Sequence, residues 1–463
     1  MIFNFAFSKK KIVIVGLGIS GMTLAKKLFT YNMDVTVWDD NPKIREIALK
    51  NGLRLKTIQK IKFSEIDFLV LSPGIQHIGP NAHIAAKNAK KNNCKVISDL
   101  ELLYYLKKKT PPIIGVTGTN GKSTTVSLLE HILQNNGIKA EACGNIGKSF
   151  LSIKNLHKKI LIVEASSYQL ERLHKLKFDI SVLLNIQKDH IERHFKMSNY
   201  INAKKQIFKN KTLDDYAIIS NDDEYCEKIR KELIKEKKTN VISFSTNSSS
   251  KFNIRVENHK DFLLIIEDSC KTKIKIIKKK LNISLGKKNF QNIISAYCVS
   301  KLLKIRTASF KKSLYCFKGL PHRIEKFCSF NNVVFYNDSK ATNISSTIFA
   351  LNSLKNIYLL IGGESKKGNF SDLNKNFKNV VKTFTFGKSN QLLKIKIKQK
   401  NVFAFKNLKD SVEFAFKEAL LDKRQINFLL SPACASFDEF ENFEKRGSFF
   451  KKKIQELIFK TQK

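Results

Sequence analysis

Short apolar runs of four or five residues recur along the chain, and a stretch with helical spacing of apolar residues follows most of them. Residues 11–15, 68–71 and 160–163 are clear examples of such runs. Strands buried in parallel sheets have this continuous apolar character, because helices cover both faces of the sheet. The alternation therefore predicts an α/β protein built on mostly parallel sheets.

Two polar stretches divide this alternation into three parts. Charged residues 107–109 precede Thr110-Pro111-Pro112, and residues 319–323 form a second turn-rich stretch. A chain of 463 residues exceeds one core at about 150 residues per domain. We predict a Rossmann-like domain at residues 1–106, a central phosphate-loop domain at 107–319 and a C-terminal Rossmann-like domain at 320–463. Alternating stretches at 253–257, 262–267 and 272–277 predict a small antiparallel β layer attached to the central domain.

A glycine-rich loop opens the central domain. The sequence GVTGTNGKSTT at 115–125 follows an apolar strand and precedes a helical stretch. Backbone amides of such a loop converge on phosphate oxygens, a lysine reaches the terminal phosphates and a hydroxyl ligates Mg²⁺. The usual spacing places a glycine where this chain has Val116. The candidate ATP-binding residues are Gly118, Thr119, Asn120, Gly121, Lys122, Ser123 and Thr124.

A second glycine-rich turn, GLGISG at 16–21, follows the first strand, and Asp39 follows the next one. This pattern first suggests a dinucleotide such as NAD. The same turn suits any diphosphate held at a helix N-terminus, so a second interpretation stays open. An NAD-dependent oxidoreductase would rest on this turn alone and would leave the phosphate loop without a role.

Polar side chains stand at the carboxyl ends of several predicted strands, where ligands bind in open α/β sheets. Glu164 ends one strand and is a candidate Mg²⁺ ligand, with a helix-capping carboxylate as the alternative. Asp189-His190 follows another strand, and from its residue type alone His190 is a capping or acid–base residue. Asn289 and Asn292 share one face of a later helix. In the C-terminal domain, three polar loops at 337–343, 362–366 and 431–437 imply one shared site.

The chain carries 84 Lys and Arg against 40 Asp and Glu, a formal charge of +44. An ATP-driven nucleic-acid protein would use such a charge, but the lysines spread along the whole chain without a nucleic-acid motif. Eight cysteines form no C-x-x-C pair, which is typical of a reducing cytosol. The N-terminus does not have the pattern of a signal peptide, and no apolar run has transmembrane length. We expect a cytoplasmic monomer without nucleic-acid partners or membrane insertion.

Several motifs together resemble the Mur ligase family, the ATP-dependent amino-acid ligases of peptidoglycan synthesis. The resemblance spans all three predicted domains, and its last two motifs are similar to those of the members that add D-glutamate. The motifs are TGTNGKS at 117–123, GNIG at 144–147, EASSYQLE at 164–171, DH at 189–190, GLPHR at 319–323, NDSKATN at 337–343 and the stretch 430–447.

The resemblance implies a role for each candidate residue. The first turn would bind uridine diphosphate rather than NAD, and the UDP-sugar residues would be Ile19, Ser20, Asp39, Ser72, Gly74, Asn145, Ser166 and Gln169. Nucleotide contacts would come from Asn289, Asn292, Arg323 and Asp338 in addition to the loop. D-Glutamate would be held by Thr342, Lys366, Ser436, Phe437 and Phe443. The metal ligands would be Ser123, Glu164, His190 and a carbamylated Lys204.

The resemblance also implies a reaction. The alanyl carboxylate of UDP-N-acetylmuramoyl-L-alanine would attack ATP to give an acyl phosphate, which D-glutamate would then displace. Lys122, His190, Lys204 and Lys366 would be catalytic, and Mg²⁺ or Mn²⁺ would offset charge on the phosphates. The C-terminal domain would close on binding.

Overall fold

The structure is a computed structural model that describes residues 3–106, 111–145, 149–247, 254–268, 271–281, 287–365 and 370–462. It divides into two compact units. The first comprises Met1–Lys278 with Lys287–Tyr315, and the second comprises Lys279–Gly286 with Cys316–Lys463. Within the described ranges, no helix is both long and apolar enough to cross a membrane.

The first unit begins with a four-stranded parallel sheet in the order β2-β1-β3-β4. Its strands are apolar along nearly their whole length because helices pack on both faces. The strands are β1 (Ile12–Val15), β2 (Val35–Trp38), β3 (Phe68–Leu71) and β4 (Lys95–Ile97). The helices are α1 (Phe5–Ser8), α2 (Ile19–Thr30), α3 (Pro42–Lys50) and α4 (Ile84–Lys91).

A nine-stranded sheet follows in the first unit, in the order β13-β12-β11-β10-β9-β8-β5-β7-β6. Its strands are β5 (Ile113–Thr117), β6 (Ala140–Gly144), β7 (Ile160–Glu164), β8 (Ile180–Leu183), β9 (Tyr216–Ser220), β10 (Asn240–Ser245), β11 (Ile254–Asn258), β12 (Phe262–Glu267) and β13 (Thr272–Ile277). Its helices are α5 (Lys122–Asn135), α6 (Ser167–Leu170), α7 (Ile191–His194), α8 (Met197–Lys205), α9 (Glu224–Glu236), α10 (Lys287–Leu302) and α11 (Thr307–Cys316).

The three predicted antiparallel strands are present as β11, β12 and β13. They continue the central sheet at one edge, because β11 pairs in parallel with β10. Lys273 and Lys275 on β13 are exposed, whereas Ile274 and Ile276, which alternate with them, are buried. The backbone amide of Ile277 donates to the hydroxyl of Tyr315 (2.9 Å).

The second unit contains a six-stranded sheet in the order β14-β15-β19-β16-β17-β18. Only the pairing of β14 with β15 is antiparallel among these described strands. The strands are β14 (Glu325–Phe330), β15 (Val333–Asn337), β16 (Ile357–Gly362), β17 (Val380–Phe386), β18 (Val402–Ala404) and β19 (Ile426–Ala433). The helices are α12 (Ile344–Ser353), α13 (Ser371–Asn374), α14 (Asn390–Lys396), α15 (Leu408–Leu421) and α16 (Phe443–Gln462).

The predicted fold class, an α/β protein with mostly parallel sheets, is confirmed. One local boundary differs from the sequence pattern, since β19 extends through Ser431, Pro432 and Ala433. These three residues were expected in the following loop, but all are buried in the sheet. The exact limits of the three domains stay a prediction.

Candidate active site

The phosphate loop joins β5 to α5, as the sequence predicts. Gly121 precedes the helix with a φ of 87°, and a Cβ atom on it would lie 2.4 Å from Asn292 Oδ1, so the position requires glycine. Lys122 Nζ donates to the carbonyl oxygens of Gly118 (2.8 Å) and Thr119 (2.9 Å). Ser123 is buried in the first helical turn, and Thr124 is partly buried. The loop is thus shaped by glycine and holds its lysine against its own backbone.

Asparagine side chains hold this loop from two sides. Asn120 N donates to Asn185 Oδ1 (2.9 Å), and Asn185 Nδ2 donates to Gln291 Oε1 (2.8 Å). On α10, Asn292 Oδ1 accepts from Thr125 Oγ1 (3.1 Å), and its amide donates to Asn289 Oδ1 (2.8 Å). The predicted pair Asn289 and Asn292 therefore lies beside the loop, while Asn185 and Gln291 were not singled out by the sequence.

Glu164 ends β7 and is 1% exposed. Its Oε1 accepts a hydrogen bond from Asn145 Nδ2 (2.9 Å), whereas its Oε2 is buried without a hydrogen-bond partner among the residues that the structure describes. A buried carboxylate oxygen is costly unless it is hydrogen-bonded or coordinates a cation. The donor set thus fits a hard divalent metal such as Mg²⁺, which prefers oxygen ligands. Within the described ranges no group of three or more His, Cys, Asp and Glu could hold a metal, so Ser123 or a modified lysine would have to contribute.

Lys204 on α8 is fully buried, and its Nζ donates to Gly118 O at 2.7 Å. The same Nζ lies 4.7 Å from the centre of the Tyr200 ring, whose hydroxyl is 3.0 Å from Thr119 Oγ1. Burial, together with the nearby charge of Lys122, lowers the pKa of Lys204 well below its usual value. Lys204 therefore tends toward the neutral amine, which is the form that reacts with carbon dioxide.

His190 precedes α7 with a φ of 53° and is exposed. Its ring nitrogens lie 3.4 Å from an oxygen of Asp189 and 3.7 Å from one of Glu192. The ring centre is 5.2 Å from that of Tyr168 and 6.4 Å from that of Tyr200, which connects it to the surroundings of Lys204. No contact joins His190 directly to Glu164 in the part of the chain that the structure describes.

The first glycine-rich turn is closed by Ser72 and Asp39. Ser72 Oγ donates to Gly16 O (2.8 Å), and Asp39 Oδ2 accepts from Leu17 N (2.6 Å). A Cβ atom on Gly21 would lie 2.0 Å from Gly16 O, so the helix can start this close to the strand only with glycine. Ile19 is 92% exposed beside the turn. Ser20 and Gly74 are exposed as well.

Ser166 and Gln169 bond within the protein. They form a capping box at the start of α6, in which each side chain bonds the other residue's backbone amide. Gln169 Nε2 also donates to Asp99 Oδ1 (3.0 Å). The capping box orients the segment that follows Glu164.

In the second unit, the loops after β15, β16 and β19 meet as predicted. Asp338 is buried, and its carboxylate accepts from Ser431 Oγ (2.7 Å) and from the backbone amide of Ile324 (3.2 Å). Glu364 and Ala435 exchange two backbone hydrogen bonds of 3.0 Å. Burial raises the pKa of Asp338 to about 7 despite these hydrogen bonds and the nearby charge of Arg323.

The remaining candidates of the second unit differ in exposure. Ser436 is buried, whereas Arg323 and Phe437 are exposed. Thr342 and Phe443 are partly buried, and Lys340 Nζ lies 5.1 Å from the centre of the Phe443 ring. Lys366 lies outside the described residues.

Arg446 on α16 connects these loops, and sequence reasoning assigned it no role. Its buried guanidinium donates to Ser339 Oγ and Ser339 O (3.0 and 2.9 Å) after β15. It also donates to the carbonyl oxygens of Cys434 and Ala435 after β19, at 3.1 to 3.2 Å. Its sequence signal was an arginine just before residues 449–459, whose spacing of apolar residues is that of an amphipathic helix.

Comparisons with known proteins agree with this arrangement. The family description "Mur ligase middle domain" matches residues 116–300, and "Mur ligase MurD-like, N-terminal domain" matches residues 10–98. Among solved structures, UDP-N-acetylmuramate-alanine ligase MurC from Thermotoga maritima is 16% identical with a TM-score of 0.59, covering 96% of this chain and 99% of its own. A pseudomurein peptide ligase type C from Methanothermus fervidus is 18% identical with a TM-score of 0.56, covering 96% and 100%. These two likenesses concern the fold alone.

The chain belongs to the Mur ligase family and is a ligase. A relative from Rickettsia felis is 37% identical over 96% of this chain and 97% of its own length. One from Caulobacter vibrioides is 33% identical over 97% of both chains. Both relatives are named UDP-N-acetylmuramoylalanine–D-glutamate ligase.

Proposed function

We propose that the chain uses ATP to join D-glutamate to UDP-N-acetylmuramoyl-L-alanine in the synthesis of peptidoglycan precursors. The observation that carries this proposal is the similarity to a D-glutamate ligase over 96% of the chain. The reaction runs in two steps. An alanyl carboxylate oxygen attacks the γ-phosphorus of ATP, and the bond to the departing ADP oxygen breaks. The amine of D-glutamate then attacks the acyl carbon, inorganic phosphate leaves and the nitrogen loses a proton.

Lys122 has the central electrostatic role in the first step. Its Nζ rests on the carbonyl oxygens of Gly118 and Thr119, which holds it within reach of phosphates bound by the loop amides. A fixed positive charge stabilises the transferring phosphoryl group more than the ground state, because negative charge on its oxygens spreads during transfer. Asn289 and Asn292 of the first unit, and Arg323 and Asp338 of the second, are further nucleotide residues.

A divalent metal, Mg²⁺ or Mn²⁺, would be held by Glu164, Ser123, His190 and Lys204. When bound, the ion would offset negative charge on the phosphates. Glu164 supports this assignment through its buried Oε2, which has no hydrogen-bond partner within the described ranges. Lys204 would serve as a carbamate. This modification gives the side chain a negative charge and two oxygen atoms that can bind the metal. The lowered pKa of its buried amine favours that modification.

The substrates are assigned to separate groups of residues. UDP-N-acetylmuramoyl-L-alanine is held by Ile19, Ser20, Asp39, Ser72, Gly74, Asn145, Ser166 and Gln169. D-Glutamate is held by Thr342, Lys366, Ser436, Phe437 and Phe443. A lysine and two hydroxyls suit an amino acid with two carboxylates. We further propose that the enzyme acts in the cytoplasm as a monomer. Light scattering on the purified chain tests the monomeric state, and fractionation of cells tests the location.

The decisive experiment is a phosphate-release assay on the full chain with each substrate omitted in turn. Release should require ATP, UDP-N-acetylmuramoyl-L-alanine and D-glutamate together, and mass spectrometry should detect the amide product. Release that continues at the same rate without D-glutamate would contradict the ligase reaction. Lys122→Ala should abolish release, and Lys209→Ala, a lysine outside the site, is the matched control.

A further inference from the structure

Arg172 joins the two sheets of the first unit. It follows α6, after β7 of the nine-stranded sheet, and is 1% exposed. Its Nη1 donates to the carbonyl oxygens of Leu71 (2.8 Å) and Ser72 (3.3 Å), and its Nη2 donates to those of Pro73 (3.4 Å) and Ile75 (2.8 Å). All four acceptors belong to the end of β3 or to the segment that follows it, residues 72–79, which we call the β3 loop. The guanidinium of Arg172, which follows the nine-stranded sheet, thus binds four carbonyl oxygens at the end of a strand of the four-stranded sheet.

Neighbouring residues hold the same loop. Arg193 Nη2 donates to Ile75 O (3.0 Å), and Glu171 Oε1 lies 3.3 Å from both Arg193 Nη2 and His77 Nδ1. Phe195 has a φ of 64°, a costly conformation for a large side chain. Its ring packs so closely on Gly79 that a Cβ atom there would lie 2.5 Å from Phe195 Cζ. Contacts at both ends of the β3 loop therefore come from the nine-stranded side.

The β3 loop in turn shapes the first glycine-rich turn. Ser72 N donates to Val15 O (3.0 Å), and Ser72 Oγ donates to Gly16 O (2.8 Å). A Cβ atom on Gly16 would lie 2.6 Å from Ile75 Cδ1. Two of the residues whose carbonyls Arg172 binds, Ser72 and Ile75, therefore also contact the turn through their side chains.

An arginine suits this task better than a lysine. The guanidinium is planar and offers five N–H donors on three nitrogens in a fixed fork, whereas an ammonium has three donors on one nitrogen at the end of a flexible stem. Glu171 lies 3.9 Å from Arg172 Nε and provides the neighbouring negative charge that a buried cation requires. Loss of the fork would remove four hydrogen bonds from the loop and so loosen it, although Ser72 O and Ile75 O each accept from a second donor, Ile75 N and Arg193 Nη2.

We propose that Arg172 is a positioning residue for the UDP-sugar substrate. It fixes the β3 loop, and through Ser72 the diphosphate turn, at a set distance from Glu164 and the phosphate loop. The alanyl carboxylate then reaches the γ-phosphate beside Lys122 while the uridine diphosphate stays on the turn. This inference rests on the proposed function, because it assigns the substrate's two ends to the two sheets.

The test is steady-state kinetics of Arg172→Met and Arg172→Lys, with each of the three substrates varied in turn. Both variants should raise the KM for UDP-N-acetylmuramoyl-L-alanine at least tenfold, with the KM for ATP and D-glutamate within twofold of wild type. Arg172→Met should lower the thermal midpoint of unfolding. Arg172→Lys keeps the buried charge, so its thermal midpoint should lie close to that of wild type, while its KM for UDP-N-acetylmuramoyl-L-alanine stays raised. Lys209→Met is the matched control, because Lys209 Nζ also donates to a carbonyl oxygen, that of Leu173, without touching the β3 loop.

Several outcomes would overturn the proposal: unchanged KM values, a parallel rise for all three substrates, or a normal KM in Arg172→Lys. Ser72→Ala disturbs no buried charge and should raise the same KM, so a normal value in that variant would also overturn it. An inactive wild-type chain would instead refute the proposed function. The two failures are thus distinguishable.

Discussion

Asp338 gives a sharp prediction about pH. Its carboxylate is buried below the loops of the second unit and accepts from Ser431 Oγ and Ile324 N. Burial raises its pKa from the usual 3.8 to about 7. The perturbation is Asp338→Asn, which keeps the size of the side chain and an acceptor oxygen but removes the titration.

The sign follows from proton linkage. Between pH 4 and 7 the folded protein keeps a proton on Asp338 that the unfolded chain has lost, so the free energy of unfolding falls as the pH rises. A pKa difference between 3.8 and about 7 corresponds to roughly 4 kcal/mol at 1.36 kcal/mol per unit. The loss is complete above pH 7 and absent below pH 4. The Asp338→Asn variant has no titrating group there and does not undergo this loss. Its free energy of unfolding relative to wild type should therefore rise by about 4 kcal/mol between pH 4 and pH 8.

Hydrogen exchange read by mass spectrometry measures this difference locally. Opening free energies of β15 and β19, corrected for intrinsic exchange at each pH, should diverge between wild type and Asp338→Asn as the pH rises. Strands β5 and β7 of the first unit serve as the internal control and should not change. The stabilised variant should also lose ligase activity, since Asp338 is a proposed nucleotide residue. A difference between the two proteins that stays constant from pH 4 to pH 8 would refute the reasoning.

Three further predictions concern single residues. Gly121→Ala places a Cβ atom 2.4 Å from Asn292 Oδ1 at a positive φ, which distorts the phosphate loop. The KM for ATP should therefore rise at least tenfold in the phosphate-release assay, and a normal KM would contradict the loop geometry. Arg446→Met removes five buried hydrogen bonds and should destabilise the second unit by about 3–5 kcal/mol. Hydrogen exchange measures this as a lower opening free energy, and an unchanged value would argue against the linking role of Arg446. Wild type incubated with ¹³C-bicarbonate should show a carbamate NMR signal that Lys204→Met lacks, and an identical spectrum would remove Lys204 from the metal ligands.

The sequence predicted what local patterns encode. The phosphate loop is visible because glycine, lysine and serine must follow a strand at short fixed spacing. Glu164 was found because it ends an apolar strand, where open α/β sheets bind their ligands. The face shared by Asn289 and Asn292 follows from helical periodicity alone. Each of these inferences needed fewer than about twenty neighbouring residues, as is usual for such motifs.

Arg172 and Arg446 could not be found in this way. Most of their partners are backbone carbonyl oxygens, as many as 107 residues away in the chain, and every residue has a carbonyl whatever its type. The strained backbone at Phe195 could not be predicted from the sequence either, because contacts that form only in the fold offset its conformational free-energy cost. The roles of Asp39, Ser166 and Gln169 inside the protein, as a turn clamp and a capping box, also depend on three-dimensional neighbours.

The lysines of β13 affect how copies of this chain behave toward each other. The strand stands at the end of the sheet order, where backbone groups can template pairing with a strand of another molecule. Lys273 and Lys275 are exposed along it, and Tyr315 covers the amide of Ile277. Two such edges brought together would align like charges, which opposes aggregation at high concentration. Part of the +44 excess thus lies where it opposes edge-to-edge pairing of two copies of this sheet.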